Sequence, residues 1–98
     1  MTVDIKINAN ETIVKLDGRL DTVTSPELEK AIENDIGNTK NLVLDVKDVE
    51  YISSAGLRII LAAQKKMNKL GSMKVINVCP EVMEVFELTG FADILSIE

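Results

Sequence analysis

Two adjacent serines, Ser53 and Ser54, are the residues best placed for chemistry, in the run Tyr51-Ile52-Ser53-Ser54-Ala55-Gly56-Leu57-Arg58. They fall where a loop enters an apolar-periodic segment, which marks a helix start. A serine oxygen there can cap the helix by accepting a bond from an orphan backbone N–H. A serine there can also be a phosphorylation acceptor, because a helix N-terminus offers unpaired N–H groups and partial positive charge. A phosphate adds about −1.5 to −2 charge at pH 7. On a contact surface that charge abolishes binding without unfolding the domain, so the readout of such a switch is affinity rather than shape. Cap and switch both stay open on these residues alone.

Other chemistry is scarce. The chain has no histidine, which removes imidazole bases and His-ligated metals. It has no Cys-x-x-Cys, no Gly-rich phosphate loop and no Ser/His/Asp set. The expectation is a protein that is not an enzyme and has no cofactor or metal of its own. The many acidic residues read as solvated surface. Asp21 precedes the first helix, where a carboxylate caps or shapes a loop. Cys79 stands before Pro80 at a later helix start, where the dipole can lower a thiol pKa; a small buried hydrophobe is the commoner role. Asp45, near the end of a central strand, invites comparison with an aspartyl-phosphate receiver. That fold needs an acidic pair after its first strand, where this chain has Asn8-Ala9-Asn10.

Composition narrows the class further. At 98 residues the chain is one domain, spanning 1–98, with 46% apolar and 28% charged residues. Surface scaling gives about 5,500 Å² folded against roughly 15,700 Å² unfolded, enough burial for one core without staples. A single cysteine suits an intracellular, cytoplasmic protein. The longest apolar run is five residues, Ile59 to Ala63, so no membrane insertion is expected. The net charge of −5 repels a phosphate backbone, and three aromatics leave little for base stacking. Nucleic acid is therefore not an expected partner. A monomer is the default state.

The elements that must position the serines follow from periodicity. Val3 to Ile7 alternates as a half-buried strand, Asn8 to Glu11 is a turn cluster, and Thr12 to Leu16 resumes the strand, giving a hairpin. Thr24 with Glu27 three residues on forms a potential capping box, and Pro26 suits a first turn. Leu28, Ala31, Ile32 and Ile36 recur at helical spacing, and Gly37 fits the end of that helix. Leu42-Val43-Leu44 suggests a central strand covered on both faces. A second helix runs from the serines to about Leu70, with Ile59, Ala63, Met67 and Leu70 as its apolar stripe and Gly71 ending it. Its exposed side would carry Arg58, Gln64, Lys65 and Lys69, a basic patch on an acidic protein. Met73 to Val78 is a strand. Pro80 opens a third helix carrying Val82, Val85 and Phe86, which Gly90 closes. Ala92 to Ile97 is a last short strand. The fold class is α/β, in the order β-β-α-β-α-β-α-β, with a mixed, mostly parallel sheet, right-handed crossovers and helices packed on it.

At this point a resemblance carries the reading further. Val49 to Arg58 resembles the central motif of the STAS domain of the bacterial anti-sigma factor antagonists. Leu16-Asp17-Gly18-Arg19-Leu20-Asp21 resembles that family's Gly-x-Leu-Asp element, and Phe86-Glu87-Leu88-Thr89-Gly90-Phe91 is similar to its third-helix pattern. The match spans essentially the whole chain in the right element order. It implies a protein whose unphosphorylated form binds an anti-sigma factor that is also a serine kinase, thereby releasing a sigma factor. The kinase uses its own ATP and magnesium to phosphorylate the antagonist, which ends binding, and a serine phosphatase resets it. The family motif reads Asp-Ser-Ser/Thr-Gly-Leu, with the first hydroxyl residue modified. Anchoring on Gly56-Leu57 puts Ser54 at the acceptor position, with Ser53 as the alternative. Ser53 stands where aspartate is common, and Ala55 where the second hydroxyl residue is common. Asp21 matches the Gly-x-Leu-Asp aspartate, near the serine loop in this family. Asp21, Ser53, Gly56 and Arg58 are the implied partner-binding residues. Gly56 lets a partner or the chain's own backbone approach closely, or serves packing alone. The alternative function is a STAS scaffold that is never phosphorylated, or a module regulating a membrane transporter.

Overall fold

Four strands lie side by side in chain order: β1 (Thr2–Ile7), β2 (Glu11–Leu20), β3 (Asn41–Ile52) and β4 (Ser72–Ile76). This is the arrangement in a computed structural model that describes residues 1–35 and 39–98. β1 and β2 form the expected antiparallel hairpin, with Val3 opposite Leu16 and Ile5 opposite Val14. The Asn8 N–H donates to the Glu11 carbonyl at 2.8 Å and closes the turn. β2–β3 and β3–β4 are parallel. Their crossovers are the helices α1 (Ser25–Asp35) and α2 (Ser54–Leu70), and α3 (Pro80–Thr89) follows β4.

The period of two along each strand decides where the core sits. Val14 and Leu16, Leu42, Leu44 and Val46, and Met73 and Val75 join Leu28 and Ile32 of α1, Leu57, Ile60 and Met67 of α2, and Val82 and Phe86 of α3 in one apolar cluster. Successive right-handed crossovers in one direction place their helices on one face of a sheet. The accessible surface of 5581 Å² is close to what a chain of this mass should expose.

Several expectations need correction. Val43 is buried but stands outside that cluster, between its register neighbours Ile13 and Lys74. The central strand therefore meets helices on one face only. β2 and β3 run on to Leu20 and Ile52 instead of stopping near Leu16 and Val46. Register shifts around Asp17 let pairing resume at Arg19–Tyr51 and Leu20–Ile52, with Gly18 at φ 120°. The buried side of α2 is Gly56, Leu57, Ile60, Ala63, Gln64 and Met67, so the stripe is rotated from the expected one. Ile59 is half-buried and Leu70 is exposed. Ile36 and Gly37 lie outside the described residues.

The expected capping box is absent, because Thr24 turns its hydroxyl away from α1. The Thr24 hydroxyl donates to the Arg19 carbonyl, and Glu27 N–H bonds the Thr24 carbonyl instead, at 3.0 Å. The last strand, Ala92 to Ile97, shrinks to one parallel bridge between Ile97 and Val75. Gly90, at φ 82°, leads into a 3-10 turn over Phe91–Asp93. The Phe91 carbonyl accepts from both Ile94 and Leu95 N–H groups. Those bonds hold backbone that a strand would have offered to β4. The order is β-β-α-β-α-β-α, followed by that bridge.

Candidate functional site

The extra length of β2 and β3 builds the site. Leu20 and Ile52 end their strands as register partners, and the Ser53 N–H donates to the Leu20 carbonyl at 2.8 Å. Asp21 and the serines thus leave the same sheet edge together. This is the carboxyl end of the parallel strands, where open α/β sheets form their binding sites.

The two serines do different things. Ser53 is the N-cap of α2: its hydroxyl oxygen accepts from the Gly56 N–H at 3.4 Å, and its carbonyl accepts from Leu57 N–H at 2.9 Å. The first of these is long for an N–H···O bond, so the side-chain cap is weak. Ser54, the first residue of α2, is exposed, and its hydroxyl has no hydrogen-bond partner among the described residues. Gly56 is buried one turn on. A Cβ built there would sit 2.7 Å from the Leu20 Cγ and 3.0 Å from the Leu20 carbonyl oxygen. The space left by its missing side chain is filled by the end of β2, so here the chain's own backbone and Leu20 side chain approach closely.

Asp21 shapes the loop before α1. One carboxylate oxygen accepts from the Val23 and Thr24 N–H groups, both at 3.0 Å, and from the Thr24 hydroxyl at 3.1 Å. Its other oxygen is 3.6 Å from the Arg19 guanidinium. The Thr24 N–H is the foremost cause holding the Asp21 carboxyl below its ordinary pKa, because these donors favour the ionised form. The loop so fixed presents Val23 with 83% of its surface exposed. Thr22 and Ser25 line a cleft of about 360 Å³ with Ala55, Arg58 and Ile59 of α2, so this loop abuts the first turns of α2. Arg19 also lies over the Tyr51 ring, 4.0 Å from its centroid.

Of the basic patch, Arg58, Lys65 and Lys69 are exposed, but Gln64 is buried. Gln64 donates to Asn68 at 2.8 Å, and its amide oxygen has no partner among the described residues. Arg58 has no ion-pair partner among the described residues. The Cys79 thiol is half-buried and donates to the Val49 carbonyl at 3.3 Å, so it ties α3 to β3. Asp45 accepts from Lys47 N–H and from the Asn77 amide, a structural use. Among the described residues no cluster of acidic and sulfur side chains could hold a metal, and no helix is long and apolar enough to cross a membrane.

Sequence reasoning found the serine turn and Asp21 but missed the Arg19–Tyr51 stack and the exposed Val23. Both depend on the strand extensions, and the signal for those was the Gly18 bulge. The chain is similar to known regulators. It is 31% identical to the anti-sigma-B factor antagonist of Bacillus subtilis over 99% of its length and 90% of that protein. The crystal structure of an anti-sigma factor antagonist from Mycobacterium paratuberculosis superposes with a TM-score of 0.89 at 29% identity, covering 98% of this chain and 83% of that one. The unphosphorylated anti-sigma factor antagonist SpoIIAA of Bacillus superposes with a TM-score of 0.83 over 99% of this chain and 88% of that one, a likeness of fold alone at 16% identity. The STAS domain profile matches residues 2–98, and the chain, with its serine turn at the carboxyl edge of the sheet, belongs to the STAS domain family.

Proposed function

We propose that the chain is an anti-sigma factor antagonist whose unmodified form binds an anti-sigma factor kinase, and that phosphorylation of Ser54 ends the binding. The observation that carries this reading is the division of labour between the serines. Ser53 is engaged in capping, whereas Ser54 is exposed with its hydroxyl unengaged. The kinase would bring its own ATP and magnesium. The Ser54 oxygen bonds to the γ-phosphorus, the bond to the β-phosphate oxygen breaks, ADP leaves, and the hydroxyl proton passes to a base of the kinase. A serine phosphatase would then hydrolyse the ester. The chain acts as ligand and substrate, as a cytoplasmic monomer.

The contact surface in this reading is the serine turn with the loop beside it. Arg58 and the exposed Val23 meet the partner, whereas Ser53, Asp21 and Gly56 hold the turn and loop in shape. Similarity to the antagonists named above supports an anti-sigma factor as the partner class.

The test is site-resolved phosphopeptide mass spectrometry on the purified protein incubated with ATP, magnesium and source-cell extract, phosphatases inhibited. Ser53→Ala and Ser54→Ala variants serve as controls. Phosphate on Ser54, lost only in Ser54→Ala, is the expected result. Phosphate on Ser53 would move the switch by one residue. No phosphate beside an active kinase control would favour a constitutive scaffold.

A further inference from the structure

Arg58 has no role in the fold described above. It is exposed on α2, four residues after Ser54, and has no ion-pair partner among the described residues. Side chains four apart on a helix are surface neighbours, with Cβ atoms about 5–6 Å apart. The order is also the favourable one, with the acidic member nearer the helix N-terminus. A guanidinium matches phosphate geometry with two parallel N–H···O bonds.

We infer that Arg58 is the intramolecular receptor for the phosphate on Ser54, so that modification both adds negative charge to the contact surface and withdraws its cation. The inference rests on the proposed modification of Ser54. On the unmodified protein Arg58 projects at the rim of the cleft between α1 and α2 and is available to a partner. On the modified protein it folds back along its own helix onto the phosphate. A partner that needs a cation there loses it in the same event that meets an unwelcome dianion. The same pairing shields the phosphoester and slows its removal. The other charged groups at this end are Glu29, which lines the cleft with Arg58, and Asp21, held by its own loop and by Arg19. Neither forms an ion pair with Arg58.

The experiment needs no kinase. Phosphoserine is installed at position 54 by genetic encoding, and the phosphorus-31 resonance is titrated with pH in the parent, Arg58→Ala, Arg58→Lys and Lys65→Ala proteins. The helix N-terminus acts equally in all four, so their differences isolate the side chains. The second phosphate ionisation in the parent should lie about 0.15 to 0.4 pH unit below that of Arg58→Ala. Arg58→Lys should fall between, Lys65→Ala should match the parent, and the gap should shrink as salt is raised. Coincident titrations of parent and Arg58→Ala would overturn the inference, as would an equal displacement in Lys65→Ala. Circular dichroism confirms folding, and Arg58→Gln replaces Arg58→Ala if the latter fails to fold. Absence of Ser54 phosphorylation in extract would count against the proposed function while leaving this titration result intact, so the two failures are distinguishable.

Discussion

At the scale of single residues, Ser53 caps α2, whereas Ser54 is exposed and is the proposed phosphate acceptor. Ser53→Ala removes a long side-chain cap and should lower unfolding free energy by about 0.5 to 1 kcal/mol, the low end for such caps. Ser54→Ala should stay within about 0.5 kcal/mol of the parent, since alanine suits an exposed helical position. Urea denaturation of the two variants measures both. Asp21 gives a pH signature. Its folded pKa lies below the ordinary value of 3.8, so its contribution to stability is present above that value. It is lost as pH falls through the folded pKa. Asp21→Asn should therefore be less stable than the parent near neutrality, with the deficit closing progressively below pH 3.8 in a pH series of denaturation curves. Residue identity and spacing marked the Ser53-Ser54 turn, because capping is local, whereas Asp21 and the choice between the serines came through the family resemblance. Gln64 shows the limit. A polar side chain on a helix reads as exposed until the helix's rotation is known, and that rotation is set by packing on the sheet.

At the scale of elements, two close backbone approaches fix the serine turn and the far end of α2, the first buried and the second exposed. Gly56 lies against Leu20, and Gly71 lies against the Lys40 carbonyl, where a Cβ would sit 1.8 Å from the oxygen. Gly56→Ala should lose about 1 to 3 kcal/mol, since part of the clash is with a leucine side chain that can shift. Gly71→Ala should lose about 3 kcal/mol or more. It meets backbone, and the Lys40 carbonyl already accepts the Ser72 N–H at 2.8 Å. Thermal or urea unfolding should rank parent, Gly56→Ala and Gly71→Ala in that order of decreasing stability. Helix starts and ends were legible here because glycine, proline and serine punctuate locally: Ser53, Gly71, Pro80 and Gly90 all stand at the expected ends. Strand ends were not, because β2 and β3 continue past their alternating cores through register shifts. Those shifts are stabilised by the neighbouring strand and leave only Gly18 as a local mark. The terminal strand failed for a related reason. Its residues have strand-like composition, but Gly90 in the left-handed region starts a turn that uses up their backbone donors.

At the scale of the molecule, the order of strands and helices was legible because alternating strand and helix patterns admit few topologies, and two strand–helix–strand units, β2-α1-β3 and β3-α2-β4, form as parallel pairs. That Val43 is buried outside the helix-covered core was not, since an unbroken apolar run looks the same whether helices pack on one face or both. The domain is acidic, with a net charge of −5, and a phosphate at the exposed start of α2 adds to that charge without entering the core. The proposed switch acts on association, where losing one charge-complementary contact can cost several kcal/mol. The most direct measurement compares two immobilised forms of the full chain, unmodified and carrying phosphoserine at position 54, against the same source-cell lysate. Retained proteins are identified and quantified by mass spectrometry. The account predicts that the unmodified form and Ser54→Ala both retain an anti-sigma factor kinase, and that the phosphoserine form retains at most about a tenth as much. Equal retention of that kinase on the modified and unmodified forms would contradict it.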